Sequence, residues 1–212
     1  KPVDASLVRR QSPLPETADE VCNVARSLGG LDAVNLGRQA TETRLKALSA
    51  NGELASYQIL HLATHGALAG ELDGSREPGL ILTPPEQSSR EDDGYLSASE
   101  IAGLKLNADW IILSACNTAA GATDEAEALS GLAKAFFYAG ARSLLVSHWY
   151  VDSAATVALI TGAARAMSHD ANMGRSEAMR QAMLALITSE GDFWHPSYWG
   201  PFVVVGEGAD TR

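Results

Sequence analysis

Two residue types in this chain are scarce enough for their placement to carry chemistry: cysteine, at Cys22 and Cys116, and histidine, at five positions. Cys116 lies in Ser114-Ala115-Cys116-Asn117-Thr118, directly after the apolar run Trp110-Ile111-Ile112-Leu113. His65 lies in Thr64-His65-Gly66, directly after the strand-like stretch 57–63. A cysteine attacks as the thiolate and needs a base. An imidazole within hydrogen-bond reach takes the thiol proton and later returns it to a leaving amine. Gly66 lets the backbone approach closely, and the N–H groups of Gly66 and Cys116 are candidate donors to a developing oxyanion. Spacing alone favours a plainer reading, a small buried cysteine at a strand end and an unrelated histidine.

The elements that must position these residues alternate along the chain. Val21, Val24, Ala25 and Leu28 share one face of a helix over 16–28, stopped by Gly29-Gly30. The apolar stretch Leu31 to Leu36 reads as a short strand. Thr41 caps a helix over 41–50 that ends at Asn51-Gly52. Strands are expected at 57–63, 110–113, 143–146 and 202–205, and helices at 124–139, 152–168 and 175–189. This alternation predicts an α/β fold with a mainly parallel sheet. Gly79–Thr83 and Gly94–Leu96 read as the arms of a hairpin insertion, with the polar stretch 84–93 between them as a solvated loop. Ser97-Ala98-Ser99-Glu100 fits a capping box. If the strands at 57–63, 110–113 and 143–146 are parallel neighbours, His65 and Cys116 converge at one edge of the sheet, where open α/β sheets bind their ligands.

Composition narrows the function from the other side. With 212 residues, 46% of them hydrophobic and 20% charged, the chain can bury a sizeable core. A formal net charge of −10 argues against nucleic acid and anionic membrane as partners. No run approaches a membrane span, and two cysteines make a disulfide framework improbable, so a reducing, cytoplasmic compartment is expected. A shared metal on His61 and His65 fails on geometry, since an extended strand would hold them ~13 Å apart. His61 is expected to be a sheet-face residue with a structural hydrogen bond, and Cys22 a core or boundary residue. Neither a phosphate-binding loop nor a dinucleotide fingerprint occurs, so no cofactor is expected.

Four ordered blocks, Ile59 to Gly66, Ile111 to Ala119, Gly131 to Trp149 and His195 to Gly206, strongly resemble the CHAT domain. That family belongs to the caspase-like cysteine peptidases, alongside caspases, separase and gingipains. The resemblance implies a caspase-like three-layer sandwich over residues 14–212, with 1–13 as a lead-in segment or linker. It implies a His65–Cys116 dyad without a required carboxylate, the histidine being oriented by a backbone carbonyl. Many relatives carry a Gly-Glu-Gly-like stretch where this chain has Asp124-Glu125-Ala126-Glu127, a departure that touches the substrate side and not the dyad.

The activity implied is hydrolysis of a peptide bond in a specific protein substrate through a thioacyl intermediate, in a bacterial signalling or defence pathway. CHAT domains typically follow tetratricopeptide or other helical repeats. A start at Lys1 fits trimmed upstream repeats, so an upstream repeat domain or activating partner is expected. Asn117, Asp124, Trp149 and Asp152 are candidate substrate contacts in the loops after the strands; Asp124 and Asp152 stand where helix N-caps are expected, and capping is the favoured role for both. Carboxylates at this edge would favour a basic substrate residue. The alternatives are a non-catalytic caspase-like scaffold and a thiol hydrolase acting on small molecules.

Overall fold

The computed structural model describes residues 2–114, 125–149, 152–170, 172–189 and 191–206. In chain order the elements are α1 (Ala5–Val8), α2 (Glu16–Leu28), α3 (Glu42–Ala50), β1 (Ile59–Leu62), β2 (Gly66–Ala67), β3 (Gly79–Ile81), β4 (Tyr95–Ser97), α4 (Ala98–Ala102) and β5 (Trp110–Leu113). There follow α5 (Glu125–Ala139), β6 (Ser143–Ser147), α6 (Ser153–His169), α7 (Arg175–Thr188), α8 (Pro196–Trp199) and β7 (Phe202–Gly206).

Local chemistry sets the boundaries. The Thr41 hydroxyl accepts from the Arg44 N–H and opens α3, and the Asp152 carboxylate accepts from the Ala155 N–H and opens α6. Ser97 and Glu100 close a reciprocal capping box at α4. α2 ends on Gly29 with φ of 76°, the left-handed conformation that a glycine adopts without steric cost.

The central sheet has the order β1-β5-β6-β7. β1, β5 and β6 run parallel, and β7 closes the edge antiparallel to β6. Because side chains alternate across a strand, β5 feeds two layers. Ile111 and Leu113, with Leu144 and Val146 of β6, pack against Leu45 and Leu48 of α3, Ile101 of α4 and Phe136 of α5. Trp110 and Ile112, with Leu145, pack against Val24 of α2, Leu159 and Ile160 of α6 and Met179 of α7. All four side chains of β5 are at most 1% exposed, as a parallel strand covered on both faces must be. The result is the mixed α/β sandwich with a mainly parallel central sheet expected for a caspase-like fold.

Three features depart from the sequence expectation. The apolar stretch Leu31 to Leu36 forms no strand. Leu31–Ala33 is a 3-10 turn, the Asn35 side chain donates back to the Ala33 carbonyl, and Leu31 and Leu36 stay exposed. The hairpin insertion gains a third strand, giving the order β2-β3-β4. The lead-in segment is folded onto that small sheet: Val3, Ala5 and Val8 are buried, with Val3 and Val8 against Leu72, Ile81 and Tyr95.

The 84–93 loop is exposed over residues 86–91 but anchored at its end. Asp92 is buried and accepts from the Thr43 N–H and hydroxyl. Buried Glu42 accepts from the backbone N–H groups of Asp93 and Gly94 and pairs with Lys46. Burial dominates at Glu42 and pushes its carboxyl up from 4.5 to about 7, against the lowering pull of Lys46 and of the Asp93 N–H. A carboxyl whose pKa is higher folded than unfolded stabilises fully below the unfolded value and loses that contribution as pH rises through the folded one. The melting temperature of the native chain, relative to a Glu42→Gln variant, is therefore expected to fall as pH rises from 4.5 to 7. A difference independent of pH across that window would contradict this assignment.

Candidate active site

β1 and β5 are adjacent and parallel with Leu62 opposite Leu113. The chain therefore leaves both strands at the same edge of the sheet, about 5 Å apart. From β1 it reaches His65 after two residues. From β5 it reaches Ser114, which is buried. Cys116, Asn117 and Asp124 lie outside the described residues, as do the side chains of Glu125 and Glu127.

His65 is held between the two sheets. Its carbonyl accepts the Ile81 N–H at 2.8 Å, and the preceding Thr64 hydroxyl donates to the Ile81 carbonyl. The half-buried ring points Nε2 at the Ser12 carbonyl, 2.7 Å away. A carbonyl only accepts, so Nε2 carries a proton, and in the neutral ring Nδ1 is the nitrogen with the free lone pair. The orienting group is thus a backbone carbonyl of the segment between α1 and α2.

Gly66 is buried and pairs with Leu80. Since the Ile81 N–H bonds the His65 carbonyl, this is a wide, non-hydrogen-bonded pair. The Gly66 N–H is therefore turned away from β3. A cleft of about 560 Å³ opens here, lined by residues 11–16 on one wall and by His65, Gly66, Glu71 and Leu72 on the other. Among its described lining residues the charged carboxylates are Glu16 and Glu71, and no lysine or arginine contributes.

The remaining candidates sit elsewhere. The Asp152 carboxylate is engaged as the α6 cap, 2.9 Å from the Ala155 N–H, while its neighbour Ser153 reaches the cleft. Trp149 is 44% exposed and lies over Gly200, where an added Cβ would stand 3.7 Å from the indole. Cys22 is a partly exposed free thiol on α2. Among the described residues no group of three or more His, Cys, Asp or Glu side chains is placed to hold a metal, and no helix is long and apolar enough to cross a membrane.

The family resemblance implied a backbone carbonyl as the orienting group of His65, but not which one, and nothing in the sequence reading named the partner of His61. The Ser12 contact uses a main-chain carbonyl, which leaves no side-chain signal. Glu20 bonds His61, and it did leave one: it stands four residues before Val24 on the apolar face of α2. A carboxylate on an apolar helix face calls for a buried partner.

The sheet order and the histidine between two sheets define a caspase-like α/β domain. The chain belongs to the CHAT domain family, which it matches over residues 3–207. It is also 29% identical over 225 residues to tetratricopeptide repeat protein 28 of Mus musculus, and 27% identical over 221 residues to tetratricopeptide repeat protein 28 of Homo sapiens. Each alignment takes in 92% of this chain but only 9% and 8% of those proteins, so the chain spans under a tenth of the curated relatives it matches.

Proposed function

We propose that the chain is a cysteine endopeptidase domain acting on a specific protein substrate. The observation that carries this reading is the His65 ring: it is fixed by the Ser12 carbonyl at the sheet edge where β5 also ends, three residues before Cys116 in sequence. His65 Nδ1 takes the Cys116 thiol proton, and the thiolate sulfur bonds to the substrate carbonyl carbon. The backbone N–H groups of Gly66 and Cys116 hold the oxyanion. As the C–N bond breaks, the imidazolium gives its proton to the leaving amine. Water, deprotonated by His65, then cleaves the thioester and frees the acid and the thiol.

The matches to tetratricopeptide repeat proteins favour a fused or partner repeat domain that presents the substrate, in a reducing, cytoplasmic compartment. Their names describe repeats rather than peptidase activity, which favours a second reading, a non-catalytic scaffold built on the same fold. Asn117, Asp124 and Trp149 remain candidate substrate contacts, and Glu16 and Glu71 line the cleft beside His65.

Cys116→Ala is expected to abolish cleavage of the substrate while Cys22→Ala leaves it almost unchanged. N-terminal sequencing of fragments from a protein encoded beside this chain provides the readout. Equal loss in both variants would remove Cys116 as the nucleophile, and no cleavage by the native chain together with retained partner binding would establish the scaffold.

The carboxylates of the cleft set a second expectation. A charge-assisted hydrogen bond is worth about 1.5–3 kcal/mol, roughly ten- to a hundredfold in rate. A positional-scanning peptide library should therefore show a preference for Arg or Lys beside the scissile bond, and Glu71→Gln should weaken it. A preference for Asp would overturn the argument, and one for Leu or Met would assign the pocket to Trp149.

A further inference from the structure

Three polar side chains that this reaction leaves idle meet at the carboxyl end of β5. Glu20 of α2, His61 of β1 and Ser114 come from three separate elements, and all are buried. His61 Nε2 lies 2.7 Å from Glu20 Oε1 and 3.2 Å from Ser114 Oγ. The Nε2–H donates to the carboxylate, and the Ser114 hydroxyl oxygen takes the longer branch. His61 Nδ1, also buried, has no partner among the described residues. A small chamber of about 10 Å³ adjoins the group, bounded by Thr17, Glu20, Ser114 and Thr156, and shares Leu14, Glu16 and Ser153 with the His65 cleft.

Burying a carboxylate, an imidazole and a hydroxyl is unfavourable, and well-packed apolar residues could join the same three elements without that penalty. What an apolar trio would not supply is direction. Hydrogen bonds fix the orientation of a backbone as well as its proximity. Here they act on two chain segments that matter: Ser114 lies two residues before Cys116, and His61 four residues before His65.

We infer that Glu20, His61 and Ser114 are positioning residues for the proposed dyad: Glu20 anchors the His61 imidazole, and His61 holds the Ser114 hydroxyl and with it the direction in which the chain leaves β5, two residues before Cys116 in sequence. The inference rests on the cysteine peptidase reading. None of the three lines the His65 cleft.

The rate at which iodoacetamide alkylates Cys116 in the full chain, followed against pH by peptide mapping with Cys22 as internal reference, tests it without a known substrate. In the native chain Cys116 should titrate below the value of about 8.5 for a free thiol, and His65→Ala should move it upward. Ser114→Ala and Glu20→Gln should each slow Cys116 alkylation at neutral pH about tenfold and raise its midpoint, as a displaced reacting group does. The Cys22 rate and the melting temperature should stay near native, and the double variant should lose no more than the single ones. Should Glu20→Gln fail to fold, Ser114→Ala decides alone. An unchanged Cys116 profile in these variants, with His65→Ala still shifting it, overturns the positioning role and leaves the peptidase reading intact. A Cys116 midpoint indifferent to His65→Ala overturns the peptidase reading and the inference with it.

Discussion

The pairing of β1 with β5 is the contact on which the candidate site depends. A parallel pair sends both chains out at the same edge, and here the register places Leu62 beside Leu113. The loops that follow therefore start side by side, one bearing His65 and the other leading to Cys116. A slip of one residue would turn every side chain of β1 to the opposite face. His61 would then leave the α2 layer for the apolar layer around Leu113 and Phe136, and Glu20 would lose its buried partner. The Glu20–His61 bond thus opposes a register error that would also misplace His65. Apolar burial alone discriminates less sharply, because Ile59, Leu60 and Leu62 contribute apolar side chains to both layers.

Parallel strands require a crossover, and this one does more than connect. Between β1 and β5 the chain builds the small sheet β2-β3-β4 and the short helix α4. β2 begins at the residue after His65, so the histidine is fixed by a ladder on each side: β1 two residues before it, β3 through the Ile81 N–H. A residue between two sheets keeps its backbone direction better than one in a free loop, which suits the role proposed for His65. The Glu42 carboxylate supports the same sheet from below by holding the N–H groups that lead into β4.

Much of this was legible in the sequence, for identifiable reasons. The runs 110–113 and 143–146 are apolar throughout, a pattern that a doubly covered strand dictates. Asp152, Thr41 and Ser97 with Glu100 marked helix starts because capping needs those side chains at those offsets. His65 stood out through its strand-end position and its glycine neighbour. The stretch Leu31 to Leu36 was misleading because its leucines face solvent, and Asp32 and Asn35 within it favour turns. The seat of the lead-in segment was not legible, since pattern cannot show that Val3 and Val8 are buried against Leu72, Ile81 and Tyr95, far along the chain.

That seat bears directly on the chemistry. The carbonyl that orients His65 belongs to Ser12, between α1 and α2. Its position is set on one side by α2, packed against α6, and on the other by α1, with Val3 and Val8 in the small-sheet core and the Ala5 N–H bonded to Ser88. Pro13 and Pro15 restrict the backbone between those anchors, so fewer conformations of the strap must be lost for Ser12 to meet the ring. The same strap forms one wall of the cleft. The residues that least resemble a regular element therefore decide two properties at once: which imidazole nitrogen is free to accept a proton, and how wide the cleft beside it stands. Removal of the first thirteen residues would leave the α/β sandwich its two main cores while stripping His65 of its orienting group. In this fold the stability of the sheet and the orientation of the His65 ring are supplied by different parts of the chain.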